Sequence, residues 1–312
     1  MKNDKLNKEL AKRLRTTKAD VYKLVDNYEK EIKKSYARAL REIKAELDVL
    51  FVKAGENPTP AILLKQARLN DLYKKISDRL GKTTKEVNKS LYEAIKGQLE
   101  ENYLATVYGV EQTIKQQINF SMLNDKTIRT SVLNSNDKIK WTNSLKKNQA
   151  KLNAQIRKEV TNGLIQGKSY QQVSKILTDR LNIGTFKSIR IIRTEAHRVQ
   201  NLANVLAFEE IENSASDVGL QTGRVWIATL DNKTRDTHQE LDGQEADENG
   251  MFDLNGLKVE APGLTGIAEE DINCRCTAEV FIKGFEPKQR KDNETKEIIK
   301  FQTYKEWKKV RT

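Results

Sequence analysis

The sequence predicts a mainly α protein with a C-terminal α+β domain, in which long N-terminal helices are followed by a small domain with a short β-sheet. Three observations predict it. Charged residues make up 32% of the 312 residues and aromatics 6%, a composition that suits long solvated helices better than an aromatic-lined sandwich. Apolar residues recur at a helical period from Leu6 to Leu50. After Gly223 the period changes, and Arg224-Val225-Trp226-Ile227-Ala228 alternates with β-forming residues at 225 to 227, which reads as a short strand.

The first helix rests on Leu6, Leu10, Leu14, Thr17, Val21, Leu24, Tyr28, Ile32, Tyr36, Leu40, Ile43, Leu47 and Leu50. Those 12 steps over 44 residues average about 3.67 residues, close to a straight helix and longer than the 3.5 of a left-handed coiled coil. The helix should end near Ala54-Gly55 and span on the order of 75 Å, so it reaches out or lies along a partner. Thr59-Pro60 starts a second helix carrying Ile62, Leu69, Leu72, Ile76 and Leu80 as far as Gly81. Thr83-Thr84-Lys85-Glu86 has the form of a capping box and opens a third, with Val87, Leu91, Ile95, Leu99 and Tyr103.

From about 104 to 140 the pattern weakens, with turns expected at Asn124-Asp125 and Asn134-Ser135-Asn136-Asp137. Trp141, Leu145, Leu152, Ile156 and Val160 restore a helix that should stop near Asn162-Gly163, and Gly167 marks a domain boundary. Ser169 is placed to cap a helix running to Asn182-Ile183-Gly184, followed by a further helix from Phe186 to Glu212. Beyond the first strand, Asp231 or Asn232 caps a brief helix from Thr234 to Leu241 that stops at Asp242-Gly243. Met251-Phe252 and Leu257-Lys258-Val259 are candidate short strands, and Cys276 to Ile282 a closing one. The divisions are thus 1–160, a helical basic region; 161–283, the α+β domain; and 284–312, a basic tail with Ile298, Phe301, Tyr304 and Trp307 at helical spacing. No period of 20 to 50 residues repeats.

The net charge of +12 conceals an asymmetry: residues 1–160 carry 34 Lys/Arg against 20 Asp/Glu, whereas residues 201–280 carry 5 against 17. A basic half attracts nucleic acid or an acidic surface, although lysines spread over an exposed helix also serve solubility alone. Two cysteines in a Cys-x-Cys arrangement cannot build a disulfide framework, which fits a reducing, intracellular origin. MKNDKLNKEL lacks the apolar core of a signal peptide, and no run of about 18 apolar residues occurs. The expectation is a protein made in a cytoplasm, without a membrane span.

Candidate chemistry gathers between Arg224 and Cys276. His238, Cys274 and Cys276 could bind zinc, with His197 or Asp236 as a fourth ligand. Equally, the cysteines could be small buried apolar residues and His238 a hydrogen-bonded core histidine. Both readings place His238 beside the two cysteines, because the helix from Thr234 to Leu241 is too short to stand alone, and the excursion from Asp242 to Asp271 then becomes a loop with meeting ends. On the helix before the strand, His197, Gln200 and Asn204 lie within about 40° of Arg193 and form a polar strip. Glu195 falls inside the apolar arc, where a carboxylate is expensive unless paired; Arg235 and Arg275 are the expected partners. Asp231, Asp236, Glu240 and Asp242 beside His238 raise a metal-dependent hydrolase or nuclease as an alternative. No nucleophile-base pair or phosphate-cradling glycine loop accompanies them, so the expectation is a protein that is not an enzyme.

The ordered set Arg193-Thr194-Glu195, Trp226, Asp231, Thr234-Arg235, His238, Leu241-Asp242-Gly243 and Asn273-Cys274-Arg275-Cys276 resembles the phage Mu protein F-like family. These are minor head, or head morphogenesis, proteins of tailed bacteriophages, and the resemblance covers roughly residues 160 to 283. It implies a motif of Arg193, Thr194, Glu195, Trp226, Asp231, Arg235, His238, Gly243, Asn273, Cys274, Arg275 and Cys276 without a catalytic role. It further implies a virion protein inside the head near the portal, made in the host cytoplasm, bound to the portal protein, and linked to DNA packaging or ejection. Capsid or scaffolding protein and non-specifically bound DNA are further expected partners. The competing class is a nucleic-acid-binding protein with no virion role, supported by the basic half but lacking aromatic platforms or a reading motif.

Overall fold

A computed structural model of the chain describes residues 2–55, 59–115, 117–133, 140–217, 221–229, 231–283, 289–291 and 298–300. Helix α1 runs Lys2–Ala54. Along it Leu10, Leu14, Val21, Ile32, Tyr36, Ile43, Leu47 and Leu50 are buried, as the apolar period requires. Gly55 stops it with φ +93°, a left-handed cap open to glycine at no steric cost. Helix α2 is only Pro60–Leu63, with Pro60 in its first turn.

Helix α3, Gln66–Ile114, corrects the expected stop at Gly81 and the new start at Thr83. The Thr83 hydroxyl donates one turn back to the Arg79 carbonyl at 3.0 Å instead of capping. The Glu86 carboxylate lies 3.7 Å from both Arg79 and Arg38. A mid-helix glycine costs roughly 1 kcal/mol against alanine. Burying Leu80, Val87, Leu91, Ile95 and Leu99 along one uninterrupted stripe outweighs that, at roughly 1.5–3 kcal/mol per large side chain.

Helix α4 covers Asp125–Leu133, and Asn124 Oδ1 caps it by accepting from the Thr127 amide at 2.9 Å. The expected turn at 134–137 lies outside the described residues. Helix α5, Trp141–Ile165, ends two residues past Gly163, and Gly167 turns the chain with φ +69°. Ser169 and Gln172 then form a reciprocal box, Gln172 N to Ser169 Oγ at 3.3 Å and Ser169 N to Gln172 Oε1 at 2.9 Å. This box opens α6, Tyr170–Asp217, a single helix where two were expected. Gly184 does not break it. A Cβ there would stand 2.9 Å from Leu152 Cδ2 and 3.2 Å from Tyr36 Cε1, so this glycine permits close approach of neighbouring helices and has no turn to make.

Two compact units emerge, and α1, α3 and α6 each contribute residues to both. One, residues 26–94 and 140–192, is helical. Inside it the Tyr36 hydroxyl meets Ser188 Oγ at 3.0 Å, and the Tyr73 hydroxyl meets the Thr161 hydroxyl, with the Arg157 guanidinium 5.0 Å from the Tyr73 ring centre.

The other unit, residues 1–25, 95–139 and 193–312, contains all strands found among the described residues. Strand β1, Thr222–Ile227, pairs antiparallel with β4, Thr277–Ile282, placing Trp226 opposite Ala278. Between them come α7, Asp236–Glu240, the hairpin of β2, Phe252–Leu254, with β3, Leu257–Val259, and α8, Ala268–Asp271. Asn255 and Gly256, at φ +51° and +87°, supply the left-handed pair that a two-residue hairpin turn needs. Strands β5, Gln289–Lys291, and β6, Ile298–Lys300, pair antiparallel. The helical spacing that starts at Ile298 is therefore corrected at its first residues, where Ile298-Ile299 is β-branched and favours a strand; 301–312 lie outside the described residues. Among the described residues no helix is long and apolar enough to cross a membrane.

Candidate functional site

The site grows from one strand edge and the helix that covers it. Trp226 and Ala278 face each other as a non-hydrogen-bonded pair, so their amides and carbonyls point away from the shared ladder. On the Trp226 side the Gly243–Gln244 segment takes them up, Trp226 N donating to Gln244 O and Gly243 N to Trp226 O, both at 2.8 Å. On the Ala278 side two asparagines of α6 do so. Ala278 N donates to Asn201 Oδ1 at 3.0 Å, Asn201 Nδ2 donates to Cys276 O at 3.3 Å, and Asn204 Nδ2 donates to Ala278 O at 3.0 Å. Thr106 Oγ1 of α3 donates to Asn204 Oδ1 at 3.0 Å. Buried edge groups are thereby satisfied without a third strand.

This docking carries the cysteines into the core. Cys274 and Cys276 are buried with Val205, Trp226, Ala228, Leu241, Phe252, Leu254, Val259, Ala261 and Ala278. Asn273, at φ +60°, turns the chain after α8, and Cys274 and Cys276, two apart on extended chain, share one face. His238 of α7, 1% exposed, points Nδ1 at both sulfurs, 3.5 Å from Cys274 Sγ and 3.4 Å from Cys276 Sγ. Its Nε2 lies 2.9 Å from Glu270 Oε2. That is ion-pair distance, although among the described residues Nε2 makes no hydrogen bond. The Thr237 hydroxyl donates to the same Glu270 oxygen at 3.2 Å. The Trp226 ring stands edge-on to both His238 and Phe252, with centres 5.5 and 5.4 Å away. The Cys274 thiol beside Cys276 holds the Cys276 sulfur well below the ordinary thiol range and is itself pushed up.

Charged motif residues fasten the surrounding loops. Glu195 is buried as expected, but its partner is corrected: Arg198, one turn along α6, pairs with it at 2.8 Å. Arg198 also donates to Ser131 O at 2.7 Å, tying α6 to α4. Arg235 and Arg275 are engaged elsewhere. Arg235 Nη2 donates to Ile272 O at 2.6 Å, and Arg275 makes a two-pronged pair with Asp231, Nη2 to Oδ1 at 2.7 Å. That guanidinium holds the Asp231 carboxyl far below the usual carboxylate range. Burial raises the Glu195 pKa against the opposing pull of Arg198. Burial also lowers the His197 pKa to about 4, so its imidazole is neutral, and Asn201 Nδ2 lies 3.2 Å from its Nε2.

The structure brings together His238, Cys274, Cys276 and Trp226, and around them Asp231, Arg235, Asn273 and Arg275. Gly243, at φ +77°, ends the short helix beside Trp226. Arg193 is exposed and Thr194 half-buried, outside this cluster. Asp231 does not cap α7; its Oδ1 accepts from Lys233 N at 2.9 Å within a turn. Asp236 and Glu240 are exposed, and buried Asp242 accepts from Ala228 N at 2.9 Å. Among the described residues the one His/Cys/Asp/Glu group able to hold an ion is His238, Cys274 and Cys276. That group includes neither His197 nor Asp236, the two expected fourth ligands, nor any carboxylate of the hydrolase alternative. Sequence reasoning missed Arg198, Asn201, Glu270 and Arg224. Arg224, 5% exposed, stacks 5.2 Å from the Phe208 ring centre and donates to the Gly250 and Glu260 carbonyls. An arginine at an inward-facing strand position was the available signal for it.

Comparison with known proteins gives four findings. The family model described as phage Mu protein F like protein matches residues 154–279. Minor head protein GP7 of Bacillus phage SPP1 is 31% identical over 294 residues, covering 92% of this chain and 93% of that protein. The NAD(+)-arginine ADP-ribosyltransferase EFV of Enterococcus faecalis (strain ATCC 700802 / V583) is 31% identical over 272 residues, 87% of this chain, but the chain spans only 55% of that protein's length. No solved structure matches.

Proposed function

Because this chain belongs to the phage Mu protein F-like family of head proteins, we propose that it joins the procapsid as a minor head protein bound to the portal protein, inside the head. The family carries a role in phage head morphogenesis. The observation that supports the finer reading most is the match to a minor head protein along 93% of that protein's length. The apolar stripe of α1 is covered within this chain, so a portal, capsid or scaffolding subunit would meet exposed helix faces and not that stripe. Co-expression of the tagged chain with its portal protein tests the portal contact. We expect the two to elute together through size exclusion; separate elution at micromolar concentration contradicts it.

The ADP-ribosyltransferase named above shares with this chain the same part that matches a minor head protein nearly end to end. We assign the shared part to head assembly and expect no transfer of ADP-ribose by this chain. Incubation with labelled NAD(+) and an arginine-rich acceptor checks that, and label on the acceptor overturns it.

A second reading, non-specific DNA contact during packaging or ejection, is favoured by the 34 Lys/Arg against 20 Asp/Glu in residues 1–160. Lysine and arginine release phosphate counterions without reading bases.

A further inference from the structure

We propose that His238, Cys274 and Cys276 bind a thiophilic divalent cation, zinc being the best fit, and that this ion ties α7 to the entry of β4. The donor set meets the chemistry. Zinc takes sulfur at about 2.3 Å and imidazole nitrogen at about 2.0–2.1 Å in tetrahedral array. Those lengths place sulfur and nitrogen about 3.6 Å apart across the ion, and the Nδ1 to Sγ distances are 3.4 and 3.5 Å. All three donor atoms lie within 4.8 Å of one another.

Packing alone explains the arrangement less well. A neutral imidazole nitrogen offers one lone pair, so a single thiol satisfies it, yet two sulfurs converge on His238 Nδ1 at nearly equal distance. On the far side of the ring, Glu270 Oε2 stands 2.9 Å from Nε2, the place where metal-bound histidines keep an orienting carboxylate. An ion on Nδ1 would fix the ring proton on Nε2, where the Glu270 carboxylate stands to accept it. Cys-x-Cys is an uncommon spacing for a zinc knuckle, but here the intervening Arg275 points outward to Asp231, leaving both sulfurs on one face.

Charge balances as well. Each thiol loses its proton to solvent on binding, and two thiolates cancel the two charges of the ion, so the filled site is neutral within an apolar cluster. The three side chains supply three positions, and a water molecule completes four. The role is structural: α7 has five residues and no side-chain cap, and the ion would anchor it to the strand.

The test uses the full chain, purified reduced and without chelator. About one zinc per chain should survive desalting, and replacement by cobalt should give the near-ultraviolet sulfur-to-cobalt charge-transfer band of a four-coordinate thiolate site. His238→Ala, Cys274→Ser and Cys276→Ser should each lose stoichiometric retention, whereas Asp231→Asn should keep it. Glu270→Gln should weaken zinc binding roughly 10-fold with the cobalt band retained, as a positioning residue does. The cobalt spectrum of the unaltered chain stands even if a cysteine variant fails to fold. Lack of a thiolate band in cobalt-treated reduced protein overturns the proposal, and so does stoichiometric zinc retention by the double cysteine variant.

Discussion

At the scale of single residues, buried polar pairs carry the unit that holds the strands. Glu195 and Arg198 have side chains 5% and 6% exposed, so removing one strands the other. Glu195→Ala should destabilise the protein by about 3–5 kcal/mol, and adding Arg198→Met should recover much of that; equilibrium denaturation checks both, and an additive double variant contradicts the pairing. Asn201→Leu should cost about 1–3 kcal/mol, because Ala278 N loses its acceptor. Acid adds a signed test. The Asp231 carboxyl lies below its ordinary 3.8, first through its hydrogen bonds with Arg275, so its contribution is full above about pH 4 and fades as the pH falls further. Asp231→Asn should flatten the acid limb of the stability profile; an unchanged limb would remove Asp231 from it. At this scale the sequence was partly readable. The burial of Glu195 followed from its place in the apolar arc, and the His238 cluster from a helix too short to stand alone. The partner of Glu195 was not legible, because Arg235 and Arg275 carry the same charge as Arg198, one turn away on the same helix. Glu270 gave no signal, being one carboxylate in an acidic stretch until the fold set it behind His238.

Among the elements, helices were legible by period and misread at glycine. The stripe of α1 and its stop at Gly55 followed the sequence, since a left-handed cap favours glycine. Gly81 and Gly184 were read as the same signal, but tertiary burial overrides local propensity and α3 and α6 pass through them. The two glycines should now respond oppositely to alanine. At Gly81 a Cβ meets only Gln149 Nε2 at 3.6 Å, an ordinary contact, so Gly81→Ala should stabilise by about 0.5–1 kcal/mol. At Gly184 a Cβ would overlap Leu152 and crowd Tyr36, so Gly184→Ala should cost about 1–3 kcal/mol through overpacking. Thermal denaturation of both variants decides it, and stabilisation by Gly184→Ala would show that these helices do not approach so closely. The short strands were legible from alternation and β-branching. The asparagines that finish the β4 edge were not, because a polar strip on a helix does not reveal that a strand will lie against it.

For the whole molecule, charge and family point to the same setting. The excess of Lys/Arg in residues 1–160 should give weak, sequence-independent DNA binding by the full chain, measured by fluorescence anisotropy. Affinity should fall steeply from 50 to 200 mM salt; salt-independent binding, or none at low salt, would speak against a DNA contact. Reversing exposed Lys33, Lys34 and Arg41 of α1 to glutamate should weaken that binding and lessen its salt dependence. Fold class was open to sequence reasoning because period and composition act over many residues. The two interleaved units were not, since their boundaries cross helices that show no break in pattern. A place in the phage head is tested most directly by mass spectrometry of purified heads from a phage encoding this chain. Peptides spanning the chain should be found at a small, reproducible fraction of the major capsid protein. Heads that assemble, purify and contain none of it would rule out a place in the virion.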